Sequence, residues 1–218
     1  MIRPEQGLED RHETKEPTVM NRETQRPYDL IWNQENQFAY RIAKQVLQKP
    51  KISVWLVLIP ILFLYYAHKI QQYKAAVHDF SKGLMRSKIL ALDSAKQEID
   101  SGKNNTGFQE AFDAKDLADS PNAMQVKEKQ ITEVELLKSH YEKLLRQQGS
   151  TYPALIRKAY RTAAEYRTFL NRLAEAEKAV HDAVLRAYHP SEEAQNVTKK
   201  MQKAAMALRQ EEVAAFFR

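Results

Sequence analysis

Two acid–histidine pairs are the places where this chain comes nearest to metal chemistry. Glu9 and His12 have the Glu-x-x-His spacing with which helical carboxylate proteins ligate iron or manganese, and Glu177 and His181 stand four apart, on one face of any helix that carries them. Neither completes a site. A di-iron bundle needs two Glu-x-x-His pairs on facing helices, Glu9 and His12 fall in a tail expected to be disordered, and two donors leave a metal half-ligated. The other histidines, His68, His78, His140 and His189, are scattered. There is no HExxH, no phosphate-binding glycine loop and no glycine-flanked serine, and five glycines in 218 residues leave little backbone free to approach a nucleotide. The absence of cysteine removes thiol nucleophiles, disulfides and cysteine metal sites. The sequence therefore predicts no catalytic, cofactor or metal residues, and a protein that is not an enzyme. Asn104-Asn-Thr106 and Asn196-Val-Thr198 match the glycosylation acceptor pattern, which matters only in a secretory lumen.

Charge narrows the partners. The net charge of +6 is spread along the chain, with basic and acidic residues nearly balanced on both sides of Lys51. No basic stripe with interleaved aromatic residues stands out, and no nucleic-acid-binding motif is present, so nucleic acid is not an expected partner.

The feature that dominates the chain is an uncharged run of seventeen residues, Ile52 to His68, in an otherwise polar sequence. As a helix it spans roughly 26 Å, at the short end of what crosses a ~30 Å hydrocarbon core. Both faces are apolar, which sets it apart from an amphipathic core helix. Trp55 near one end and Tyr65 and Tyr66 at the other suit the two interfaces, Phe63 lies within the apolar part, and Lys49, Lys51 and Lys69 can extend their charges outward. The run is read as a single transmembrane anchor over residues 51–68. Pro60 in its middle either kinks that helix or marks the tip of a re-entrant hairpin, whose arms of about eight residues, roughly 12 Å each, would embed in one leaflet. Orientation is not decided by charge. Arg41, Lys44, Lys49 and Lys51 precede the run and Lys69, Lys74, Lys82, Arg86 and Lys88 follow it, almost the same count on each side. The expected location is a bacterial inner membrane, with membrane lipid as one partner.

Elements to position these residues follow from periodicity and punctuation. Residues 1–28, with Pro4, Pro17 and Pro27 among polar residues, read as a disordered tail. Residues 29–50 read as an amphipathic helix beside the membrane. Its functional reading is a lipid-facing helix with Trp32 and Phe38 inserted and Arg41 and Lys44 at head groups. The competing reading packs the same apolar stripe on the C-terminal bundle, which requires both to lie on one side of the bilayer. After the run, Ile70, Tyr73, Val77, Phe80 and Leu84 continue the helix with a coiled-coil-like seam that shifts phase beyond Gly83 and ends near Gly102. A polar connector near 101–120 leads to a start at Ser120-Pro121. Thr151-Tyr152-Pro153 opens the most regular stretch, from Ile156 through Tyr166, Leu170, Leu173, Val180 and Val184 to Ala187, interrupted in polarity by Glu177, which either fixes register as a buried polar residue or, the reading preferred from sequence, sits where the seam opens to water. His189-Pro190-Ser191 turns the chain into a last helix.

The fold expected is all-α: a single membrane-anchoring helix followed, over residues 69–218, by an antiparallel helical bundle or coiled-coil hairpin. The function expected is that of a membrane-anchored scaffold or assembly protein. It would act through the surfaces of Ile156 to Ala187 and Ile70 to Leu84, on a second copy or on an unidentified helical protein. The alternative is a lipid-interacting protein that uses the basic amphipathic helix 30–48 to sense or shape the membrane.

Overall fold

Apolar stripes at helical spacing and capping side chains account for all six helices found among the described residues. The computed structural model describes residues 19–49, 60–103, 107, 109, 121–189 and 191–218, with side chains from Glu23 onward and, after the gap, from Lys69. The helices are α1 (Val19–Val46), α2 (Pro60–Ser101), α3 (Pro121–Leu145), α4 (Tyr152–Tyr160), α5 (Ala163–Tyr188) and α6 (Glu192–Phe216). Among the described residues none is long and apolar enough to cross a membrane. Residues 51–59 of the expected anchor, including Trp55, lie outside the described residues. Pro60, Phe63, Tyr65 and Tyr66 belong to α2, and their side chains lie outside the description.

α1 starts at Val19, ahead of the order expected near Asp29, and runs through Pro27. Proline inside a helix costs about 3 kcal/mol, because it removes a hydrogen bond and crowds the preceding turn. Packing offsets this. Ile31, Phe38, Ala39, Ile42, Ala43 and Val46 are all buried, and the larger four contribute about 1.5–3 kcal/mol each when removed from water. Thr24 and Tyr28, on either side of the proline, hydrogen-bond Asp100 (2.8 Å) and Asp93 (2.7 Å) of α2.

Cross-helix pairs set the directions. Thr24 with Asp100, Tyr28 with Asp93 and Glu35 with Lys88 make α1 antiparallel to α2. Gln34 with Glu212 and the run of Phe38, Ile42 and Val46 onto Leu208, Ala205 and Ala204 make α1 antiparallel to α6. Glu177 with Arg209 and His181 with Gln202 do the same for α5 and α6, and His140 on Phe169 with Glu133 near Glu177 for α3 and α5. The pair α2 and α3 is different. Lys138 meets Glu98, while Gln130 and Glu133 line one cavity with Leu84 and Lys88, so the two helices run parallel. The antiparallel bundle expected from sequence is corrected at this one pair. The start of α3 therefore lies about 25 Å along the bundle from the level of Lys138 and Glu98, since seventeen residues of helix separate Pro121 from Lys138.

The neighbours α1, α2, α3, α5 and α6 close into a ring, and α4 lies across one end, touching α1, α3, α5 and α6. Two apolar clusters fill it. The larger, at the α4 end, includes Ile31, Leu92, Leu137, Tyr141, Leu144, Leu155, Ile156 and Tyr166. The smaller, at the other end, is built from Phe38, Ile42, Val46, Ala204, Ala205 and Leu208, with Phe80, Leu84 and Met201 against it.

The regular stretch from Ile156 to Ala187 is not one helix. Arg161 takes φ 52°, and Thr162 caps α5 by accepting a hydrogen bond from Glu165 N (3.2 Å). Ile156 and Tyr166 nevertheless both face the core, and so the periodicity survives the break. Thr151 and Ser191 cap α4 and α6 in the same way, and Gly102, with φ 65°, follows the last residue of α2.

Candidate functional site

Between the two apolar clusters lies a belt of charged and polar side chains donated by five helices. Glu35 of α1 pairs with Lys88 of α2 and accepts a hydrogen bond from the Tyr141 hydroxyl of α3 (3.0 Å). Gln34 donates to Glu212 of α6 (2.6 Å). Arg209 of α6 holds Glu177 of α5 with both guanidinium nitrogens (2.8 and 2.6 Å). Phe38 is wedged between the cations, its ring 4.7 Å from Lys88 Nζ and 5.5 Å from the Arg209 guanidinium carbon. Each position sits on the inward phase of its helix, as Glu35 does between Ile31 and Phe38, and Glu212 between Leu208 and Phe216.

The belt is closely packed on its α4 side, where a void of only about 20 Å³ remains beside Glu35, Lys88, Tyr166 and Arg209. Toward the other end it opens into a cavity of about 180 Å³, lined by Ile42, Leu84, Glu133, Val180, His181 and Met201 among others. Burial, and then the neighbouring Glu177 carboxylate, pushes the Glu133 carboxyl up to about 7, against the opposing pull of Lys88 and Arg209. Burial and Glu35 do the same to Glu212, also to about 7. Behind the belt His140 is buried, stacked on Phe169 at 4.1 Å, with Nδ1 2.6 Å from the Tyr160 hydroxyl. Burial, reinforced by Lys88, lowers it to about 3, so its ring is neutral at physiological pH.

This arrangement ties helices together. Among the described residues no buried side-chain nitrogen or oxygen lacks a partner, and no group of three or more histidines and carboxylates is placed to hold a metal. Glu177 and His181 do not converge on a shared point. Glu177 is occupied by Arg209, and His181 Nδ1 lies 3.1 Å from Gln202 Nε2. The expectation that Glu177 sits where the seam opens to water is thus corrected: it forms an ion pair with an arginine that is itself buried.

The interaction seam is spent inside the molecule. Ile156, Tyr166, Leu170, Leu173 and Val180 are buried and Val184 is half-buried. The apolar stripe of the helix read as lipid-facing is spent in the same way. Phe38 is 6 % exposed, packed on α6 rather than presented outward, because the stripe that would enter lipid is the one that completes the ring. Trp32 is 37 % exposed on the outer face, Lys44 lies over the Tyr40 ring at 4.5 Å, and Arg41 pairs with Glu211 (2.6 Å). An open groove of about 800 Å³ runs between α3 and α5, with His140, Lys143, Tyr160, Glu165 and Arg172 on its walls.

Sequence reading missed Glu35, Lys88, Glu133, Arg209 and Glu212. The available signal was a charged residue in the apolar phase of a helix, which marks a buried charge without naming its partner. Comparison with known protein families, with curated proteins and with solved structures returns no match.

Proposed function

We propose that the protein is a membrane-tethered helical assembly unit, in which the apolar run 52–68 holds the bundle against a bilayer. The observation that supports this most is how far α2 outruns α1. The pairing of α1 with α2 puts Val46 beside about Val77, so roughly 25 Å of α2 stands beyond the end of α1, and its outermost part carries the uncharged sequence. The chain around that arm is basic. From residue 36 to residue 88 there is one acid, Asp79, against nine lysines and arginines, which favours an anionic head-group surface.

With the seam consumed by the fold, contacts to a second copy or to another helical protein fall to the outer surface, where Met124, Tyr188 and Met206 are the large apolar residues most exposed along with Tyr40. The belt serves this role by fixing helix register in a platform. The test is fractionation of the full chain after lysis. Recovery in the membrane pellet, with release only by detergent, is the expected result, and recovery in the detergent-free supernatant overturns the proposal. Light scattering in mild detergent reads the assembly half: a mass above one chain is expected, and a strict monomer at micromolar concentration counts against self-association.

The second reading is a lipid-sensing role for α1. It is favoured by exposed Trp32 and Tyr40 on the outer face of that helix. Replacing both with alanine should weaken binding to anionic vesicles if it holds, and leave binding unchanged if the arm alone attaches the protein.

A further inference from the structure

We infer that α1 and the bundle formed by α2–α6 lie on one side of the membrane, with the first turns of α2 reaching into the near leaflet. This rests on the membrane reading above, but the argument for sidedness uses only the elements that flank the run. Before it, α1 is gripped from two directions. Thr24, Tyr28 and Glu35 pair with Asp100, Asp93 and Lys88 of α2, and Gln34 and Arg41 pair with Glu212 and Glu211 of α6. Phe38, Ile42 and Val46, the last turns before the run, pack on Ala204, Ala205 and Leu208. After the run, Val77 is 1 % exposed and Phe80 and Leu84 join that same cluster. Val46 and Val77 therefore lie at the same level of the bundle.

A single crossing between those two points would separate α1 from α2 and α6 by the ~30 Å hydrocarbon layer. Every contact just named would be broken, and the stripe of α1 would be left without a cover. Placing α1 and the bundle on one side removes the conflict. The geometry of the first turns of α2 agrees with it. Pro60 to Ala67, the uncharged first eight residues of α2, rise about 12 Å, close to the thickness of one leaflet. Next along α2 come exposed Lys69 and Lys74, and exposed Lys44 and Lys82 lie near the level of the base of the arm, with Asp79 as the acid close by in sequence. The bilayer is the occupant this end fits: a shallow apolar insertion followed by exposed lysines, with the bundle's smaller apolar cluster just beneath.

Because the chain has no cysteine, sidedness can be read with single introduced thiols. Gln37→Cys on α1 and Ala215→Cys on α6 are both at exposed positions, each one turn away from the Arg41–Glu211 pair in the antiparallel register of the two helices. Each full-length variant is inserted into sealed vesicles of mixed neutral and anionic lipid, collected by flotation, and treated with a membrane-impermeant maleimide before and after detergent. The expected result is that both thiols show the same accessibility, and that a variant carrying both is joined by a short bis-maleimide while membrane-bound. One thiol reacting only after detergent while the other reacts before it, on protein that floats with the vesicles, overturns the inference and leaves membrane attachment standing. Protein that fails to float overturns both.

Discussion

Removing the guanidinium of Arg209 leaves the Glu177 carboxylate without the donor that holds it and takes a nearby cation from the half-buried carboxyl of Glu133. Arg209→Ala should therefore cost about 3–5 kcal/mol, the usual penalty for orphaning one member of a buried pair. The double change Arg209→Met with Glu177→Leu should restore much of the loss, and denaturant titration of the three proteins checks the pattern. Glu133 gives a pH signature of definite sign. Its carboxyl rises from 4.5 to about 7 on folding, so its contribution is fully present below about 4.5 and is lost as pH rises through 7. Glu133→Gln should be more stable relative to wild type at pH 8 than at pH 5, by on the order of 1–3 kcal/mol. A gap that does not widen with pH would show that the carboxyl ionises freely in the fold. His140 acts oppositely: its pKa falls to about 3 on folding, so stability that depends on its neutrality is lost as pH falls below 6.5. At this scale the sequence was only partly legible. The phase of Glu35 or Arg209 was readable, but the partner of each lies on another helix, as far as 178 residues away for Gln34 and Glu212.

Helix ends were the most legible feature, because their signals are local. Thr151-Tyr-Pro153 and Ser191 mark the starts of α4 and α6, and His189 supplies a left-handed C-cap to α5 at φ 42°, ψ 56°. A non-glycine residue there carries strain of about 1 kcal/mol, so His189→Gly should raise the melting temperature by a few degrees, as followed by circular dichroism. Thr162→Ala should lower stability by about 1 kcal/mol through loss of the α5 cap. Two boundaries were hidden for opposite reasons. At Arg161 the chain breaks while the inward period continues, and at Pro27 the helix continues where local propensity argues for a stop. Tertiary packing decides both, and packing is not written in a window of ten residues.

For the whole molecule, closure of the ring makes one cooperative unit of the two apolar clusters. Phe38→Ala, in the smaller cluster, should cost about 3–5 kcal/mol and shift the near-ultraviolet signal of the tyrosines at the α4 end together with the far-ultraviolet helix signal. Separate transitions would mean that the clusters unfold independently. All-helical class and bundle packing were legible from periodicity and composition. The parallel course of α2 and α3 was not, since a polar connector records its length and not its direction.

The contact between α1 and α6 also sets an order of events during synthesis. Arg41 and Glu211 are 170 residues apart, which at ~5–20 residues per second is about 10–30 s of translation. Throughout that interval the nascent chain displays the stripe of α1 with no helix to shield its α6-facing side, while the greasy segment has already left the ribosome. Closure of the ring therefore comes last, once α6 has been made, and until then the α6-facing side of α1 is the exposed apolar surface of the half-made fold.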